Sequence, residues 1–204
     1  PHGEALNIVP KLNCNIIDLS ADFRFKDLKE YERIYGINRM DSKNNAVYGL
    51  PEINKAKIKN AKLIANPGCY VTACLLAGLP IKDISTYTVF DCKSGYSGAG
   101  RESEYAKNPA LAKDNIIPYT LTTHRHKYEI GQFFGSNISF TPHVIDTFQG
   151  LMCTAHIFLK DTFIKSFSST NNFKNKKIIK KIIQLFKNYY KHQPFVKIID
   201  GNPD

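Results

Sequence analysis

The hydrophobic positions of this chain fall into short blocks whose period changes along the sequence. Asn15-Ile16-Ile17-Asp18-Leu19 and Leu63-Ile64-Ala65 are apolar runs that end in polar or turn residues, the pattern of a buried parallel strand. Between them, residues 25–60 form a charged, tyrosine-rich connector. Its pattern predicts a short helix at Leu28 to Tyr35 and a turn at Tyr48-Gly49-Leu50-Pro51-Glu52, so it is expected to cover a sheet more than to form one. After Pro67-Gly68, the run from Tyr70 to Leu79 reads as a buried helix stopped by Pro80. Tyr87-Thr88-Val89-Phe90, Ile138-Ser139-Phe140 and Met152 to Leu159 have strand character, whereas His126 to Phe134 and Lys177 to Tyr190 carry apolar residues at helical spacing. Ser94 to Arg101 reads as a glycine-rich loop. Strand and helix alternate, which makes the class α/β, and no internal repeat interrupts the alternation.

Composition narrows the picture. The chain has 204 residues, 43% hydrophobic and 12% aromatic, enough to bury a core as one large domain or two small ones. No run of about eighteen apolar residues exists to span a bilayer, and Pro1-His2-Gly3-Glu4 lacks the basic and apolar segments of a signal peptide. A cytoplasmic protein without membrane contact is expected. Five cysteines, Cys14, Cys69, Cys74, Cys92 and Cys153, form no CxxC pair and leave one over, which points to free thiols rather than disulfides or a zinc site. The formal charge of +10 is concentrated between Asn171 and Lys191. A lysine- and asparagine-rich composition accounts for it without a nucleic-acid partner. The start at Pro1 and the stop at Gly201-Asn202-Pro203-Asp204 suggest a piece of something longer.

The candidate chemistry starts at Leu63-Ile64-Ala65-Asn66-Pro67-Gly68-Cys69-Tyr70, where a strand ends, a Pro-Gly turn follows and a cysteine opens a helix. Unpaired N–H groups and the helix dipole at that position favour a thiolate, so a lowered thiol pKa is expected and Cys69 is a candidate nucleophile. Thr123-His124-Arg125-His126-Lys127-Tyr128-Glu129 supplies two imidazoles to work with it. With a helix starting near His126, Glu129 lies one turn on and could fix that ring's tautomer. Arg125 and Arg101 are planar donors suited to carboxylate or phosphate. Ser94-Gly95-Tyr96-Ser97-Gly98-Ala99-Gly100-Arg101 lets backbone N–H groups approach an anion, although it has neither Walker nor dinucleotide spacing. His2, His143, His156 and His192 show no metal-ligand spacing, and no metal is expected. From the residues alone, a thiol hydrolase and a basic, non-catalytic binding module remain open.

Ile17 to Arg24, Tyr48 to Glu52, Asn66 to Tyr70, Ser94 to Arg101, His124-Arg125-His126 and Phe140-Thr141-Pro142-His143 together resemble, in order, the N-acetyl-gamma-glutamyl-phosphate reductase family of semialdehyde dehydrogenases. The resemblance implies the C-terminal part of a Rossmann NADP-binding domain at 1–67 and an incomplete α+β catalytic and dimerisation domain at 68–204. It implies Cys69 as nucleophile, His126 as acid–base with His124 as rival, and substrate contacts from Arg125, Glu129 and Arg101. Ser97, Gly98 and Gly100 are then expected at the cofactor, NADP, and a homo-oligomer, dimer or tetramer, is implied. The implied reaction reduces an acyl phosphate through a cysteine thioester in arginine synthesis; a reductase for aspartate or carrier-bound aminoadipate is the sibling alternative. The family's glycine fingerprint would lie upstream of Pro1 and its last strands beyond Asp204, so an internal fragment with weak or no NADP binding on its own is expected. Phe148-Gln149-Gly150 departs from the usual arginine before glycine, and Lys127-Tyr128 from a proline context.

Overall fold

The computed structural model of the chain describes residues 2–39, 45–100, 103–167, 171–199 and 201. Two sheets organise it. The first joins β1 (Ile16–Asp18), β2 (Val47–Tyr48) and β3 (Leu63–Ala65) in the order β1-β3-β2, all parallel. The connector between β1 and β3 therefore does contribute a strand. Val47 and Tyr48 pair with Ile64 and Ala65, a two-residue match too short to leave a periodicity. The same connector folds α2 (Leu28–Tyr35), whose N-terminus is capped by the Asp27 side chain, and α3 (Pro51–Ile58), entered through a proline at its first turn.

The second sheet has the order β5-β6-β4-β7, built from β4 (Ser85–Gly95), β5 (Ile116–Pro118), β6 (Ile138–Ile145) and β7 (Leu151–Leu159). β4 runs parallel to β6 and antiparallel to β7. Strands β4 and β6 are longer than their hydrophobic cores predict, because alternation with polar residues continues past Phe90 and Phe140: Phe90, Cys92 and Ser94 of β4 and Phe140, Pro142 and Val144 of β6 all point inward. Ser94 and Gly95, expected in a loop, are the last residues of β4.

The helix α4 (Cys69–Gly78) is apolar all round and is buried accordingly, with Tyr70, Val71, Cys74 and Leu75 inside. It lies on the second sheet next to α6 (Arg125–Phe134) and shares one core with Leu50, Phe90, Ile130 and Phe140. Each such side chain contributes about 1.5–3 kcal/mol by leaving water, so the start of α4 is held by a buried apolar core. The long α8 (Asn171–Tyr190) attaches through the Tyr190 hydroxyl, which donates to the Leu76 carbonyl at 2.7 Å. No helix among the described residues is long and apolar enough to cross a membrane.

Candidate active site

β3 ends at Ala65, and the parallel ladder runs one bond further, from Asn66 N–H to the Asp18 carbonyl at 2.8 Å. Pro67 cannot continue it, having no N–H. Gly68 then starts α4, its carbonyl accepting from Thr72 N–H at 2.9 Å. Cys69 is thereby fixed in the first helical turn, exposed to a cleft of about 740 Å³. The turn is anchored from below by Glu129, which is fully buried. Its Oε1 accepts from Gly68 N–H at 3.1 Å and from the Tyr48 hydroxyl at 2.7 Å, and its Oε2 from Arg24 Nη1 at 3.2 Å. Arg24 also donates to the Leu19 carbonyl at 2.8 Å.

This arrangement corrects two expectations. Glu129 does not fix the His126 tautomer: among the described residues His126 Nδ1 is buried with no hydrogen-bond partner. Nor is Glu129 placed to touch substrate, because no part of it reaches the surface and both its oxygens are occupied. Arg24 and Tyr48, which complete this network, belong to two of the motifs that carry the family resemblance, but nothing in the sequence pairs them with Glu129. They stand 105 and 81 positions from Glu129, and no local pattern reports such a pairing.

The two imidazoles sit in different settings. α6 begins at Arg125, one residue earlier than the spacing predicts, and His124 is its N-cap: His124 Nδ1 accepts from His126 N–H at 3.2 Å. A neutral ring accepting at Nδ1 carries its proton on Nε2, so His124 has no lone pair left to act as a base. It is enclosed by Tyr119, Phe140 and Tyr70, with ring centroids at 5.5, 5.3 and 6.1 Å. His126 lies against Gly68. Burial, reinforced by the charge of Arg125, lowers the His124 pKa to about 4. Burial, reinforced by His124, Arg24 and His2, lowers that of His126 to about 3. Both rings are neutral at pH 7.

The thiol behaves differently from the helix-terminus expectation. Although Cys69 opens to the cleft, loss of water around its sulfur pushes its pKa up, and the N–H groups of Tyr70 and Cys69, which pull it down, do not win. The sulfur therefore rests as a thiol in a cleft that two neutral imidazoles also line, and needs a base to become a nucleophile.

Gly68 makes the approach of that imidazole possible. Its backbone is ordinary, φ −63° and ψ 148°, but a Cβ there would lie 2.4 Å from His126 Nε2. Gly68→Ala is thus expected to displace the ring without straining the backbone. A tenfold to hundredfold fall in kcat/KM, the scale of a misplacement by about 1 Å, with an unfolding midpoint close to that of the parent, is the outcome steady-state assays and denaturation should give. Unchanged kinetics would remove His126 from the reaction.

Of the other expected site residues, Arg125, Gly98 and Gly100 line the same cleft. The Arg125 guanidinium stacks on Tyr35 at 4.7 Å. The glycine-rich segment offers less backbone than expected, since Gly95, Tyr96 and Ser97 donate to the carbonyls of Gly150, Thr147 and Phe148. Ser97 is exposed but does not line the cleft; Gly98, Ala99 and Gly100 do. Arg101 lies outside the described residues.

The family model described as semialdehyde dehydrogenase, dimerisation domain, matches residues 69–204, and that described as semialdehyde dehydrogenase, NAD binding domain, matches residues 1–61. The chain belongs to the semialdehyde dehydrogenase family. Among its relatives, the N-acetyl-gamma-glutamyl-phosphate reductase of Methanococcus vannielii is 40% identical over 98% of this chain and 58% of its own length. That of Methanosphaera stadtmanae is 39% identical over 99% of this chain and 58% of its own length. This semialdehyde dehydrogenase chain thus spans little more than half the length of the curated relatives it matches. Among solved structures, aspartate semialdehyde dehydrogenase II from Vibrio cholerae superposes with a TM-score of 0.56 at 16% identity, covering 91% of this chain and 56% of that one. The likeness extends the family's α/β fold to both sheets.

Proposed function

We propose that the chain forms part of an NADPH-dependent N-acetyl-gamma-glutamyl-phosphate reductase, in which Cys69 takes up the acyl group as a thioester and releases the semialdehyde for arginine synthesis. One observation carries this reading: a single cleft holds Cys69, His126, Arg125 and the segment Gly98-Ala99-Gly100. The relatives' name supplies the substrate. A cytoplasmic homo-oligomer is part of the proposal, supported by the dimerisation-domain match. So is a division at 67/68, supported by the first sheet lying wholly before it and the second wholly after.

The residues fit a nicotinamide cofactor. Gly98 and Gly100 are exposed along the cleft; Gly100, at φ +95°, presents open space where a side chain would stand. Gly98, Ala99 and Gly100 would hold the cofactor in the cleft that Cys69 also lines, and it would supply the hydride that takes the acyl group to the aldehyde level. The chain's own part is proton and charge management. His126, neutral and lining the same cleft as Cys69, takes the thiol proton as sulfur attacks the acyl carbon and phosphate leaves. It returns a proton when the aldehyde departs. Arg125, held flat on Tyr35, offers paired donors to the phosphate or carboxylate. NADPH is favoured over NADH in the proposal.

The test is to mix full-length enzyme with the acyl phosphate in the absence of reduced cofactor and map the acylated residue by mass spectrometry. Acyl label on Cys69, chased to aldehyde by NADPH faster than by NADH, is expected. Label elsewhere, or release as free acid without NADPH consumption, overturns the assignment in favour of a hydrolase.

A further inference from the structure

Away from the cleft, three of the five cysteines converge inside the core. Cys74 of α4, Cys92 of β4 and Cys153 of β7 place their sulfurs within 4.8 Å of one another. Cys74 Sγ is 3.6 Å from that of Cys92 and 3.8 Å from that of Cys153. Cys92 and Cys153 face each other directly across the antiparallel pair, the closest side-chain juxtaposition a sheet offers, and α4 lays Cys74 over both. Positions 74, 92 and 153 have no metal-ligand spacing in the sequence, so only the packing of a helix on two strands brings them together. Cys74 and Cys92 are fully buried. Cys153 is partly exposed on the edge strand, which gives a small ion a way in.

We propose that this thiol triad is a binding site for a soft, thiophilic cation of the copper(I) class. Geometry supports it first: Cys74 Sγ lies 3.6 and 3.8 Å from the other two sulfurs and all three lie within 4.8 Å of one another, so one ion can sit about 2.3–2.4 Å from each, close to a usual metal–thiolate length. Ligand type supports it second. Among the described residues no histidine or carboxylate joins the group, and an all-sulfur set selects soft ions. Zinc would take a fourth ligand or a water, whereas the surrounding core contributes Val71, Leu75 and Phe90. A cation satisfied by three sulfurs meets its needs here.

The step balances without electron transfer. The ion forms three bonds to sulfur, and two thiols release their protons to water while the third stays neutral, leaving one net negative charge at the site. Lys93, next to Cys92 on β4, is ion-paired with Asp91, and the fields of the two reach Cys153 with opposite sign. Since Cys74 and Cys69 share α4, loading would also clamp the helix that carries the candidate nucleophile onto β4 and β7.

The experiment uses the full-length protein carrying Cys14→Ser and Cys69→Ser, which removes the two exposed thiols. Copper(I) buffered by a chromogenic chelator is titrated in under anaerobic conditions. One equivalent withdrawn per chain, a rise in thermal midpoint, and at least a tenfold weaker competition when Cys153→Ser is added are expected. X-ray absorption on the loaded parent, which needs no variant to fold, should show sulfur neighbours alone. No copper withdrawn, retention undiminished by Cys153→Ser, or nitrogen and oxygen neighbours would each overturn the proposal and leave the sulfurs as packing groups.

Discussion

Glu129→Ala should destabilise the protein by about 3–5 kcal/mol, the cost of removing one partner from a buried ion pair and leaving the other charge without compensation. The stranded charge is Arg24, only 9% exposed, and the same cut leaves the Tyr48 hydroxyl and Gly68 N–H without their acceptor. Such a loss is a large share of a typical domain's stability, so partial unfolding at 37 °C is expected. Glu129→Gln separates the two parts of the effect. The amide oxygen can still accept from Tyr48 and Gly68, while the ionic pairing with Arg24 is gone, so an intermediate loss should follow. Denaturant midpoints at constant slope measure both. A change below about 1 kcal/mol for the alanine variant would mean that the network is not what holds the Pro-Gly turn.

How much of this was legible in the sequence follows from the range of the forces involved. The strand–turn–helix around Cys69 could be read because apolar run, proline, glycine and helix follow one another within eight residues, and each acts locally. The strand at Val47–Tyr48 could not, because two residues carry no period and their strand character comes only from pairing with β3. The role of His124 was hidden for a similar reason. Whether an imidazole caps a helix or serves as a base depends on where the helix starts, and boundary residues are the least determined by pattern. Glu129 shows the limit most plainly. Its spacing from His126 suggested a local contact, but an ionised carboxylate inside the protein goes to the donors that best compensate its burial, and these came from Arg24, Tyr48 and Gly68. The sign of the Cys69 shift also turned on a balance that no sequence displays, helix-terminal N–H groups against loss of water.

The same balance sets the last expected result. Cys69→Ser should abolish reduction of the acyl phosphate, by at least about a thousandfold in kcat, as loss of a covalent nucleophile does elsewhere, while stability changes by no more than about 0.5–1 kcal/mol. The fold is spared because the side chain at position 69 faces the cleft and is not part of the core. The chemistry is lost because a hydroxyl is far less acidic than a thiol, and a neutral imidazole whose pKa is lowered to about 3 is a weak base with which to ionise it. The parent thiol is itself pushed upward, so its alkylation by iodoacetamide should be slow at neutral pH and climb through a midpoint above the ordinary thiol range of about 8.5. Protonation is favoured in the folded state, hence reactivity grows as pH rises. A midpoint below pH 7 would show that the N–H groups at the start of α4 outweigh burial after all. Full turnover by the serine variant would remove the covalent route altogether.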